Sequence, residues 1–443
     1  MNGAQLSFAW AIPFAGLLLS IAVVPLFSAS FWHHHYGKFS LAWALALILP
    51  LAYVFGPAAA WHEVVHAVLL EYIPFVTVLF ALYTIAGGIC IHGRVAGTPL
   101  RNTALLAVGA ALASLMGTTG ASMLLIRPLL AGNEGRMHRR HAVIFFILLV
   151  GNVGGALSPL GDPPLFIGYL KGVDFFWSTR ALLAPTAVVC AVLLLAFYVL
   201  DSSFARREAP HGDGEVVRGP FRIEGAVNLL LLLGVVSDVL MSGVWKPGVD
   251  LTIFGTPVAL QAIAREALLI ALALVSLRVT PRAVREHNAF HWGPIVEVAK
   301  LFAGIFITIV PVIAMLQAGR DGALAPIVQI VSGPDGRPSE RAIFWTCGIL
   351  SAFLDNAPTY LVFFNLAGGN ARALMGESAL MLTAISMSAV YFGALTYIGN
   401  APNFMIKAIA EDRGVAMPSF FAYIGYAALA LAPLLVAISL VMF

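Results

Sequence analysis

Residues 158–168 read SPLGDPPLFIG and residues 396–404 read TYIGNAPNF. Each string follows an apolar stretch of helical character, and each must break it. Proline has no N–H to donate, and its ring clashes with the carbonyl four residues back. The two strings align at an offset of 238 residues, and at that same offset GTTGAS (117–122) falls on DNAPTY (355–360). Thr118 to Asp162 and Asn356 to Asn400 are both 44 residues apart. Upstream, Leu79-Phe80-Ala81 resembles Leu301-Phe302-Ala303 at an offset of 222. Breaks repeated at matched spacing predict two homologous halves.

Composition says where those halves lie. Of 443 residues, 60% are hydrophobic and 11% charged, and the mean hydropathy is +0.91. Soluble domains are about one quarter charged, so this chain cannot cover a water-facing surface of its size. A soluble enzyme, a nucleic-acid binder and a disordered chain are excluded. The composition predicts an all-α polytopic membrane protein. Residues 7–28 lack a basic leader and a small-residue cleavage site, so they read as a first span. Cys90, Cys190 and Cys347 stand in apolar surroundings without metal-ligand spacing and predict no disulfide framework.

Apolar stretches of spanning character fall near 7–28, 39–58, 67–90, 141–157, 181–200, 225–243, 257–277, 295–316, 378–394 and 419–442. Two more, 104–130 and 342–368, are interrupted near their middles and read as re-entrant hairpins. The first repeat is then 1–200, with hairpin 104–130 and broken helix 141–170. The second is 225–443, with hairpin 342–368 and broken helix 378–410. Each holds about five spans and one hairpin. Residues 201–224, mixed in charge and carrying Pro and Gly, read as a cytoplasmic linker.

With the hairpins entering and leaving on one side, one set of connections carries 17 Lys and Arg and the opposite set carries 8. The positive-inside rule puts the first set in the cytoplasm. Both termini then lie outside, and the second repeat is inverted relative to the first. Inverted repeats with helices broken at mid-membrane are the pattern of secondary transporters, whose sites lie where the breaks meet. The run His33-His34-His35 reads as part of a solvated cytoplasmic loop. Glu71, Glu266 and Glu297 read as interfacial residues at span ends, and Asp238 lies near the outer end of its span.

Irregular backbone at membrane depth survives only when buried in protein or lining a watery cavity. Each break leaves carbonyls at one half-helix end and free N–H groups at the start of the next; the former attract cations and the latter anions. The side chains at these breaks are oxygen-bearing. Asp162, Asp355, Asn356, Asn400, Thr118, Thr119, Ser158 and Thr396 form the candidate site, flanked by Ser122, Thr359 and Asn403. Hard oxygen ligands suit a small hard cation such as Na⁺, with Asp162 and Asp355 as its charged ligands. Burial favours a protonated carboxyl and a bound cation an ionised one, so a carboxylate poised between them exchanges Na⁺ for H⁺. The competing reading of each aspartate is a helix cap. Asp162 invites it more, because Asp-Pro-Pro is a good helix start.

These strings, with AFLDNAPTYL (352–361), resemble the ion transporter superfamily: arsenite permeases, NhaD-type sodium/proton antiporters, citrate transporters and dicarboxylate/sodium symporters. The resemblance spans both halves, and its most specific string is Leu354-Asp355-Asn356-Ala357-Pro358-Thr359. It implies a scaffold domain and a transport domain, an elevator-like movement of the site, and a homodimer. The carboxylate-transporting branch carries Ser-Asn-Thr motifs at its hairpin tips, and this chain does not. Two carboxylates would repel a citrate unless a cation or proton intervened.

The expectation is therefore a multi-pass protein of the cytoplasmic membrane that exchanges Na⁺ or Li⁺ for H⁺. It has no enzymatic activity and no cofactor beyond the transported ions, and its partners are small inorganic ions and the bilayer, with no nucleic acid. A cation-coupled citrate or dicarboxylate carrier and an arsenite or oxyanion exporter are the alternatives.

Overall fold

The computed structural model describes residues 1–92, 97–208, 222–332 and 339–443. Most of the expected linker, residues 209–221, lies outside the described residues, and so do Arg94, Arg218 and Arg337 of the loop comparison. The first part runs through helices α1 (Ile12–Phe27), α2 (Ala29–Phe55), α3 (Pro57–Ala67) and α4 (Ile73–Ala86), the last two joined by a wide turn at Val68–Tyr72. The first hairpin is α5 (Pro99–Met116) and α6 (Thr118–Gly132), followed by α7 (Arg140–Leu149), α8 (Pro163–Leu170) and α9 (Trp177–Arg207). The second part has α10 (Val227–Val244), α11 (Leu260–Val279), α12 (Arg282–His287), α13 (Gly293–Thr308), α14 (Val310–Gln317) and α15 (Ala325–Ile330). It continues with the second hairpin, α16 (Glu340–Leu354) and α17 (Asn356–Leu366). After it come α18 (Ala371–Met375), α19 (Ala379–Phe392), α20 (Ala401–Asp412) and α21 (Phe420–Met442).

Helix dominates because lipid offers the backbone no partners, so each span must satisfy its own N–H and C=O groups. Among the described residues, nine helices are long and apolar enough to cross a membrane, and α13 with α14, bent by 42°, makes a tenth. Among the described residues, strand is confined to two short antiparallel ribbons. Cys90–His92 (β1) pairs with Arg222–Glu224 (β2), and Asp250–Ile253 (β3) with Thr256–Ala259 (β4). The three cysteines are free.

Burial sorts the spans. The stretch Arg140–Leu157 is 89% buried, against 22% for Leu260–Val279 and for Phe420–Met442. The first broken helix therefore lies in the interior, and so does α19, where Met381 through Phe392 are all buried. Peripheral spans instead turn apolar side chains outward, such as Leu429 and Val441 of α21. The hairpins fold back on themselves and cross over: α6 packs on α20, and α17 packs on α8. The second arm of each hairpin thus lies against the post-break helix of the other half.

Three local expectations are corrected. The His33–His35 run is inside α2, which begins at Ala29, so it is helical and not a loop. Ser28 caps that helix by accepting from the Phe31 N–H. Arg265, counted with an outer connection, is buried in α11 and paired to Glu266 at 2.7 Å. Helix α9 continues to Arg207, seven residues into the expected linker, and buries Asp201 completely.

Candidate functional site

The two hairpins break at matched residues with matched backbone. Gly117 has φ 82° and ψ 148°, and Asp355, 238 positions later, has φ 77° and ψ 137°. Positive φ stops one helix and turns the chain so that the next begins at Thr118 and at Asn356. The unwound segments correspond as well: Ser158 donates to the Ser114 carbonyl and Thr396 to the Ala352 carbonyl. Gly161 and Gly399 each sit so close to the chain that a Cβ would overlap the carbonyl of Gly155 or Gly393. Pro163 and Pro164 then open α8, and Pro402 opens α20, where their missing N–H groups have no helical partner to lose.

These turns bring four helix N-termini together around one carboxylate. Asp162 is 1% exposed. Its Oδ1 accepts from the Asn400 amide at 2.9 Å and the Thr118 hydroxyl at 3.2 Å, and its Oδ2 accepts from the Asn356 amide at 2.5 Å. The donors come from the first hairpin tip, the second hairpin tip and the second broken helix. All three are neutral, and Asp162 has no Lys, Arg or His partner among the described residues. The Oδ1 of Asn356 is buried with no hydrogen-bond partner. A carboxyl group and an orphaned amide oxygen therefore sit together with no cationic side chain beside them among the described residues.

An amide chain ties this centre to both breaks. Asn400 also donates to Asn152 Oδ1 at 3.2 Å; Asn152 donates to Asn403 Oδ1 at 2.8 Å; and Asn403 donates to the Gly393 and Thr396 carbonyls. The sequence reading missed Asn152. The signal was a lone amide in the glycine-rich stretch VGNVGG (150–155).

The two aspartates, read alike from sequence, differ in the structure. Asp162 precedes a double proline yet makes no cap bond to α8. Asp355 is the cap: its Oδ1 accepts from the Ala357 N–H at 3.2 Å, and it is half-buried. It remains near enough for its charge to act on Asp162. Thr118, Asn356 and Asn400 touch Asp162; Thr119 makes no hydrogen bond to it. Ser158 and Thr396 make no hydrogen bond to Asp162. Their hydroxyls hold the unwound segments against the hairpins, and they accept from the Leu160 N–H and from the Ile398 and Gly399 N–H groups. Of the flanking group, Ser122 is buried without a partner, and Thr359 bonds back to the Asp355 carbonyl at 2.7 Å.

The remaining charges fall outside this centre. Glu71 pairs with Lys171 at 2.6 Å, and Glu297 lies half-buried in α13. Asp238 is 2% exposed inside α10, with both carboxylate oxygens unpartnered, in the field of the Arg265–Glu266 pair. It lies six residues before the end of α10 at Val244.

Residues 3–443 match a family model described as "Putative citrate transport". The chain belongs to that family. The family is part of the ion transporter, citrate-transporter-like superfamily that the breakpoint motifs resemble. This makes the chain a multi-pass membrane protein of a transporter family, which is not an enzyme class. No curated protein matches it.

Proposed function

We propose that this transporter exchanges Na⁺ or Li⁺ for H⁺ at Asp162 by an elevator-like movement, in the cytoplasmic membrane, as a homodimer with both termini outside. The observation that carries the reading is a fully enclosed carboxylate held only by neutral donors. An uncompensated charge at membrane depth is costly, and a proton or a small cation removes it. The two cannot occupy the same oxygens together. Obligatory competition at one group is sufficient for antiport. Asn356 Oδ1 and the Thr118 hydroxyl supply further hard oxygen ligands, and the half-exposed Asp355 stands where an arriving cation loses its water.

The elevator reading rests on the division of contacts. Hairpins and broken helices interlock with one another and with α9 and α21, while among the described residues side-chain polar contacts from this set to α1–α4, α10, α11, α13 and α14 are few: Lys171 to Glu71, Gln317 to Asn365 at 3.0 Å, and Tyr169 to Ser242 at 3.0 Å and to the Val239 carbonyl. Such contacts can break and re-form as one body slides past another.

The family description favours a second reading, cation-coupled citrate transport, in which Na⁺ screens the aspartates and the substrate sits at the half-helix N-termini. Proteoliposomes separate the two. The first reading expects a Na⁺ or Li⁺ pulse to dissipate a preset proton gradient without citrate. Sodium-dependent uptake of labelled citrate, with no cation-driven proton flux in its absence, overturns it in favour of the second.

A further inference from the structure

A cavity of about 830 Å³ opens between α7, α9 and α21, well away from Asp162. His138, Arg139 and Arg140 stand at its rim, and Phe145, Leu200, Phe204 and Leu429 are among its walls. The rim is held in place by the chain opposite. Arg139 Nη2 donates to the Gly414 carbonyl at 3.1 Å, and Arg140 Nε donates to the Ala416 carbonyl at 2.7 Å. Each guanidinium keeps further N–H groups, and neither has a carboxylate partner among the described residues. The acids at this end of α9 are already matched: Asp201 by Arg136 and His141, and Glu208 by Arg136 and His138. The rim therefore presents unneutralised positive charge.

The walls are of another kind. They belong to helices of spanning length, and Leu429 is 79% exposed on the outer face of α21. From Phe204 to Ala196 the apolar wall of α9 runs about 12 Å along the helix axis. Fixed cations over an apolar slot that opens sideways match a molecule with an anionic head and an apolar tail. A soluble anion would leave the slot unused. A second copy related by a twofold axis would bring two sets of arginines onto one seam.

We propose that this cavity binds an anionic phospholipid, with its phosphate on Arg139 and Arg140 and an acyl chain along α9 and α21. The occupant would rest against α7, the helix that leads to Asn152 and the central break.

Native mass spectrometry of the full chain, with phosphatidylglycerol and phosphatidylcholine of identical acyl chains, tests this. Phosphatidylglycerol should be retained about thirtyfold over phosphatidylcholine, as expected for two basic groups at a membrane surface. The Arg139→Gln/Arg140→Gln variant should bring that ratio close to one, while Arg139→Lys/Arg140→Lys keeps most of it. Equal retention of both lipids overturns the proposal, as does an unchanged ratio in the Gln variant. Displacement of the bound lipid by millimolar glycerol 3-phosphate would make the occupant a soluble anion. A monomer–dimer shift in the Gln variant with the lipid ratio unmoved would make the patch a contact between copies. Should the Gln variant not fold, Leu429→Trp, which narrows the slot, decides: undiminished retention overturns the proposal.

Discussion

Asp162 and Asp201 are equally hidden, at 1% and 0% exposure, and they are held in opposite ways. Asp201 receives Arg136 at 2.6 Å, His141 at 2.8 Å and Asn102 at 2.9 Å. Asp162 receives two amides and a hydroxyl. Burial alone does not separate a structural carboxylate from a working one, because both must be hydrogen-bonded. The counter-charge separates them. Asp201 carries its own, so nothing mobile is needed there, whereas Asp162 has no cationic partner among the described residues, and in the proposed exchange a proton or metal ion would balance it.

The comparison breaks most readily at Asp162 itself. Asp162→Asn keeps the shape and removes the exchangeable charge. Cation-driven proton flux in proteoliposomes should fall by about a hundredfold or more, since a group that must ionise no longer can. The melting temperature should hold, because the new amide keeps one oxygen to accept from Asn400 and Thr118, and Asn356 can turn its unpartnered Oδ1 to accept from the new NH2. Retained flux would take Asp162 out of the mechanism. Asp201→Asn should do the reverse. Removing one member of a buried ion pair typically costs about 3–5 kcal/mol, so a marked fall in melting temperature is expected. Flux per folded molecule should stay within about twofold, and a flux loss without destabilisation would erase the distinction.

The breaks themselves were legible, because Gly and Pro punctuation is a local backbone effect. Gly161, Pro163, Pro402 and the 238-residue offset located both unwound segments and both hairpin tips. Partnership was not legible. Asp201 opens a hydrophilic run, DSSFARRE, and nothing local says that Arg136, 65 positions earlier, would fold onto it. The competing cap reading of Asp162 shows the same limit: Asp-Pro-Pro is a local signal for capping α8, and three donors from elsewhere in the chain engage the carboxylate instead. Asn152 was passed over because a single amide among glycines has no periodicity.

A smaller effect sharpens the contrast within the site. Asp162 and Asn400 occupy equivalent positions in the two repeats, so exchanging them moves the charge across the site. Asp162→Asn/Asn400→Asp should recover flux to within about tenfold of the original, because an amide–carboxylate pairing at 2.9 Å is preserved with its partners reversed. A swap as inactive as Asp162→Asn would show that only one half can hold the ion. Asp355→Gly probes the second aspartate. At φ 77° a glycine relieves strain of about 1 kcal/mol or more, and loss of the cap costs about 1 kcal/mol. The melting temperature should move by no more than about two degrees while flux falls about tenfold. Unchanged flux would confine Asp355 to capping.

The smallest effect belongs to Glu208, beside Asp201 at the end of α9. Burial pushes its carboxyl up, but the His138 N–H, the Arg136 guanidinium and the His138 ring together outweigh burial and hold it below its ordinary value of 4.5. A depressed carboxylate contributes stability that is present above that ordinary value and lost as the pH falls through the lower folded value. Glu208→Gln should therefore lower the melting temperature by about one or two degrees at neutral pH, consistent with a solvent-screened pair. The gap between variant and original should shrink as the pH falls from 4.5 through the lower folded value, where Glu208 of the folded chain takes up its proton. A gap that persists in acid would mean that Glu208 acts through packing. The paired-charge cluster would then owe its stability to Asp201 alone, and the contrast with Asp162 would narrow to one carboxylate against one.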